Sequence, residues 1–102
     1  SIRQLQGFIR RNSVTRWNVE CTDTFGGEAN YCWVRRFSVN ASSMRGAAIV
    51  AGRHLGYSGR LRNVGSWGDG GRYDVSGAAV CLFIDCHDET RPGESEQFPL
   101  VN

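Results

Sequence analysis

The strongest constraint in this sequence is a pair of alternating runs on either side of a Gly-Gly step. Trp17, Val19 and Cys21 alternate with Asn18, Glu20 and Thr22, the period-two pattern of a strand with one buried and one wet face. After Phe25-Gly26-Gly27-Glu28-Ala29-Asn30 the alternation resumes. Tyr31, Trp33, Arg35, Phe37 and Val39 fall on one face, and Cys32, Val34, Arg36 and Ser38 on the other. Adjacent glycines accept positive φ, so the link reads as a turn and the two runs as an antiparallel hairpin. Trp33 and Phe37 are expected in its core.

The pattern then changes period. Asn40-Ala41-Ser42-Ser43 offers side-chain oxygens to cap a helix, and Met44, Ala47, Ala48, Ala51 and Leu55 repeat at helical spacing. Gly56 is placed to end that helix, with Arg45, Gly52 and Arg53 facing outward. Further strands are predicted over 60–64, 72–75 and 78–85, with Gly65 to Gly71 read as turn throughout. Residues 87–97 are polar and acidic and read as a solvated tail, after which Phe98 and Leu100 dock back on the domain. The order β-β-α-β-β, with room for one more short strand, predicts a single two-layer α+β domain over 16–86, an antiparallel sheet packed by one helix. Residues 1–15 are assigned to an arm or a short helix, and 87–102 to the acidic tail.

At 102 residues the chain fits one domain. Its 40% hydrophobic and 11% aromatic content is too rich for disorder. No apolar run approaches the roughly 20 residues that span a bilayer, and no secretory signal is recognised. The expectation is a cytoplasmic protein with no membrane partner. All 12 basic residues are Arg, and the net charge of +2 names no partner. Cys21, Cys32, Cys81 and Cys86 are expected to be free thiols, with Cys86 the most accessible and Cys21 opposite a residue close to Cys32. Cys81-x4-Cys86-His87 lacks the second ligand pair of a zinc site, so no metal or other cofactor is expected.

Asp23-Thr24-Phe25-Gly26-Gly27-Glu28-Ala29-Asn30-Tyr31-Cys32-Trp33-Val34-Arg35-Arg36 resembles the hallmark segment of small proteins carried by bacteriophages and plasmids. Leu55-Gly56-Tyr57-Ser58-Gly59-Arg60-Leu61-Arg62 is similar to the turn that follows the helix in that group. Trp67-Gly68-Asp69 and Gly77 to Ile84 resemble its closing turn and strand. The resemblance spans about Trp17 to Asp85. It implies a mobile-element context, in which small proteins often act on host defences, and it supplies no catalytic residues.

The candidate contact residues follow. Glu28, Arg35, Arg36, Trp67 and Asp69 combine aromatic and Arg side chains as interface hot spots do. Arg60, Arg62 and Arg72 on neighbouring strands form an alternative set, placed to neutralise nucleic-acid phosphates from one sheet face. Asp85, His87 and Asp88 are the one local acid–base cluster and carry a third, hydrolase reading. His54 closes the helix, where the dipole favours a cation. No Ser-His-Asp order, G-x-S-x-G, H-E-x-x-H or P-loop occurs. The expectation is therefore a non-enzymatic accessory protein that binds a host protein or protein–nucleic-acid complex, in the manner of an anti-CRISPR or anti-restriction inhibitor.

Overall fold

In the computed structural model, which describes residues 14–102, β1 (Thr15–Phe25) and β2 (Glu28–Ala41) form the hairpin expected from the alternation. Gly26 and Gly27 make its two-residue turn with φ of 62° and 86°, the left-handed pair that matches the twist of the flanking strands. The arm or short helix expected at the N-terminus lies outside the described residues.

Helix α1 (Met44–Leu55) follows. The Ser43 hydroxyl accepts from the Gly46 backbone N–H at 3.0 Å, satisfying one of the orphan donors of the first turn. At the other end Gly56, with φ 82°, closes a paired motif in which the Gly56 and Tyr57 N–H groups donate to the Arg53 and Gly52 carbonyls. Ala47, Ala48 and Ala51 are fully buried against the sheet. Gly52 is buried as well, not outward as its spacing suggested. Met44, Val50 and Leu55 pack around these small side chains at the edges of the same core.

The chain then crosses to the far edge of the sheet and returns through β3 (Leu61–Trp67), β4 (Gly70–Val75) and β5 (Val80–Cys86). The strand order is β2-β1-β5-β4-β3, antiparallel throughout, and the last strand pairs with the first. This is the expected α+β domain, and its last three strands occupy the segments read as strands at 60–64, 72–75 and 78–85, each with shifted bounds. The turn predicted over Gly65–Gly71 shrinks to Gly68-Asp69, and its flanks are ladder. Gly70 serves close approach there: a Cβ would sit 2.9 Å from the Ile84 carbonyl oxygen and 3.0 Å from Trp67 Nε1.

One face of the sheet meets α1. Val19, Phe37, Val39, Val80, Leu82, Ile84, Tyr73 and Val75 form the core with the three helix alanines. Packing at Gly59 is tight enough to test. A Cβ there would collide with the Ser76 carbonyl oxygen, while Ser76 N–H donates to Arg60 O and pins both segments. Gly59→Ala is therefore expected to cost about 1–3 kcal/mol by overpacking. Gly65→Ala, where a Cβ meets nothing within 4 Å, serves as the control in thermal denaturation.

Residues 87–102 do not form a solvated tail. His87 N–H donates to Arg16 O, the segment turns through the short helix α2 (Glu94–Gln97), and Glu94 is buried with its carboxylate accepting from Asp88 N–H at 2.7 Å. The chain end then runs along the outer edge of β2. Ser38 N–H donates to Pro99 O, Val101 N–H donates to Ser38 O, and Asn102 exchanges bonds with Asn40. Unpaired strand edges invite association, and these residues close part of one. Docking was expected for Phe98 and Leu100, and it is made by backbone groups and by the Phe98 carbonyl held by Arg16 and Ser38.

Candidate functional site

Helix α1 covers one sheet face, and the C-terminal segment covers one end of the other. What remains of the second face is centred on Phe83. This residue lies between buried Leu82 and Ile84 on β5, so the strand alternation turns it away from the core. Two exposed aromatics flank it. The Tyr31 ring stacks with it at 6.3 Å between centroids and 8° between planes. The Trp67 ring tilts against it at 6.4 Å. The Arg72 guanidinium stands 5.8 Å from the Phe83 centroid, within cation–π range.

Tyr31 reaches this face through a break in register. Thr22 pairs with Val34 and Thr24 with Ala29, so four residues of β2 oppose Asp23 alone. The Asp23 carboxylate holds the bulge together, accepting from Cys32 N–H and from the Asn30 amide, both at 2.9 Å. These bonds, the Asn30 bond foremost, lower the pKa of Asp23 below the usual carboxylate value. Its contribution is thus present above that usual value and is lost as pH falls through the lowered one. Tyr31 itself has φ 58°, a left-handed conformation that costs a non-glycine residue roughly 1–2 kcal/mol. A strained tyrosine, half exposed and held over a second aromatic, is not explained by core packing.

The charges around the aromatics are largely paired. Arg36 Nε lies 2.9 Å from Glu20 Oε2, and Arg72 Nε lies 2.9 Å from Asp74 Oδ1. Arg72 also donates to the Gly27 carbonyl, tying the hairpin tip to β4. Beyond Trp67 the face runs into an acidic cleft of about 710 Å³, lined by Asp69, Asp85, Asp88 and Glu89 beside His87 and Arg91.

The expected contact residues therefore separate. Trp67 and Arg36 lie on the open face, Arg36 paired in register with Glu20, which is itself opposite Phe83. Asp69 sits at the rim, and Glu28 is exposed at the hairpin tip. Arg35 pairs with Cys21 and so belongs to the helix-side face, at the edge strand. Trp33, expected in the core, is 40% exposed, because the bulge displaces it. The arginines proposed for phosphates also divide. Arg62 and Arg72 belong to the open face, whereas Arg60 lines a separate cleft beside α1. Phe83 went unselected in the sequence, because it sits within the most apolar run of the chain, where outward and inward residues are alike apolar.

In the acid–base cluster, His87 Nδ1 lies 2.6 Å from Asn18 Oδ1. Thr90 donates twice to Asp88 and lowers its pKa, whereas burial, then the Glu94 charge, raises that of Asp85. The groups are thus held by separate partners. No group of three or more metal-ligating side chains is found among the described residues, and none of their helices is long and apolar enough to cross a membrane.

Cys21 and Cys81 are buried thiols, Cys86 is half-buried and Cys32 is exposed. The expected preference for Cys86 is corrected, since the bulge lifts Cys32 out of the strand, and Cys21 faces Arg35 instead of a neighbour of Cys32. Burial pushes the Cys21 thiol up to about 11 from 9.0, and burial likewise raises Cys81. In the unfolded chain these thiols ionise first, so stability is complete below pH about 9 and falls as pH rises toward 11. Cys21 alone contributes a loss of roughly 2–3 kcal/mol over that window, at about 1.4 kcal/mol per pH unit. Urea unfolding of the protein and of Cys21→Ala at mild and high pH checks this: the variant should show the shallower decline.

No family profile, curated protein or solved structure matches the chain.

Proposed function

We propose that the protein is a non-enzymatic binding module of a phage or other mobile element. It acts in the cytoplasm of a bacterial host by engaging a host protein, alone or within a protein–nucleic-acid complex, as an inhibitor of a defence system. The supporting observation is the Tyr31–Phe83–Trp67 surface, with Tyr31 kept at a strained φ to complete it. Exposed Trp and Tyr beside Arg are the residues that carry binding energy at protein interfaces. Paired charges around them favour a protein over a polyanion, because Arg36 and Arg72 already have carboxylate partners. The acidic cleft beside Trp67 adds a rim that complements a basic patch on the partner.

The test is affinity capture from lysate of a bacterial host with the native protein and with Trp67→Ala, an exposed substitution that leaves the core intact. The reading requires a specific host protein that the native chain retains and the variant releases. Retention that survives the substitution would place the interface elsewhere, and substrate turnover by the purified chain would end the non-enzymatic reading.

A further inference from the structure

The opposite side of the molecule carries a second surface of different chemistry. Between Glu28 and Asp69 the chain contains Arg35, Arg36, Arg45, Arg53, Arg60 and Arg62 and no carboxylate. The modest net charge of +2 therefore conceals a strong segregation. Acidic residues gather around the open face and the C-terminal segment, where Arg36 and Arg62 also lie, while Arg35, Arg45, Arg53 and Arg60 lie on the helix side.

Three of these arginines converge on one cleft. Arg45 and Arg53 project from α1 and Arg60 from the segment that follows it, around a space of about 570 Å³. All three are exposed, and none forms an ion pair among the described residues, whose salt bridges use Arg36, Arg72 and Arg91. The first thirteen residues contain no Asp or Glu that could neutralise them. Arg53 follows Arg45 by eight helical positions, about 12 Å along the axis, with Ile49 exposed between them and buried Gly52 beside it. The cleft is thus lined by three arginines, two from the helix and one from the segment after it, with Ile49 and Leu61 among its apolar lining.

The geometry points to this cleft as a binding site for a single strand of nucleic acid. Unpaired guanidinium groups are the residues that neutralise phosphates and release their counterions. Their spread along the helix exceeds what a single phosphate group can contact, so a ligand with repeated phosphates fits better than an isolated one. The apolar lining at Ile49 and Leu61 suits the apolar faces of sugar and base. A duplex keeps its base faces stacked inside and would leave that lining unused, so a single strand fits better. This surface is independent of the aromatic face, so either can fail without the other.

The test measures fluorescence anisotropy of short labelled single-stranded DNA and RNA with the native protein, with the Arg45→Ala/Arg53→Ala/Arg60→Ala variant and with Trp67→Ala. Three neutralised phosphates predict a log–log salt slope of about −2, an affinity loss of about 20-fold between about 50 and 200 mM salt. The triple variant should lose the salt-dependent binding, and Trp67→Ala should keep it. Circular dichroism and the melting temperature report that the variant folds, and Arg53→Glu alone, a single exposed change, provides a second reading in the same direction. The inference is overturned by absence of binding at low salt, by a triple variant that binds as the native chain does, by equal or tighter binding of the matching duplex, or by displacement of the strand by AMP or inorganic phosphate at equal phosphate concentration.

Discussion

Leu82→Ala is expected to destabilise the domain by about 3–5 kcal/mol and to lower its melting temperature by roughly 15 °C or more. Leu82 is fully buried at the centre of β5, itself the middle strand of the sheet. It lies opposite Cys21 on one side and Tyr73 on the other, both buried, with the alanine face of α1 packed into the same core. Such a site collapses poorly, since its neighbours belong to two strand ladders that hold them in place. The loss takes up much of the 5–15 kcal/mol that a domain of this size holds in reserve. Val64→Ala, at an exposed position on the edge strand β3, should shift stability by less than about 0.5 kcal/mol. Equal effects at the two positions in chemical denaturation would refute the placement of the core.

The second large effect concerns binding. Joint replacement of Tyr31 and Trp67 by Ala is expected to weaken capture of the host partner by at least about 100-fold, or roughly 3 kcal/mol. Both rings are about half exposed, so their removal should leave the fold largely intact. Tyr31→Gly separates geometry from contact. Glycine relieves the left-handed strain at φ 58° while removing the ring that stacks on Phe83. Stability should change by less than about 1 kcal/mol, since relief of strain offsets the lost stacking, yet affinity should fall. If Tyr31→Gly binds the partner as tightly as the native chain, the tyrosine is not part of the interface.

The exposure of Arg36 and Asp69 is legible because charged side chains do not suit a core, and that of Trp67 because its glycine-rich stretch reads as turn. Phe83 and Tyr31 were harder to read. Phe83 belongs to the most apolar run of the chain, where an outward aromatic resembles core. Tyr31 belongs to an alternating run whose parity the bulge inverts. Arg45 and Arg53 were recognised as outward, yet nothing in their spacing indicated that Arg60 would face them from the next segment.

The sequence by itself determined the local elements. Alternation about Gly26-Gly27 specified the first hairpin, and Ser43 and Gly56 bounded the helix, because these signals act over a few residues through sterics and hydrogen bonding. Tertiary structure decided what depended on partners distant along the chain. It paired β5 with β1, which turned Phe83 onto the open face beside Tyr31 and Trp67. It extended β3 and β4 through a glycine-rich stretch, because Gly70 must lie against the Ile84 carbonyl. It laid the residues that follow the acidic stretch along β2, where Ser38 and Asn40 supply the backbone bonds. None of these contacts leaves a period in the sequence, since each depends on which strands become neighbours.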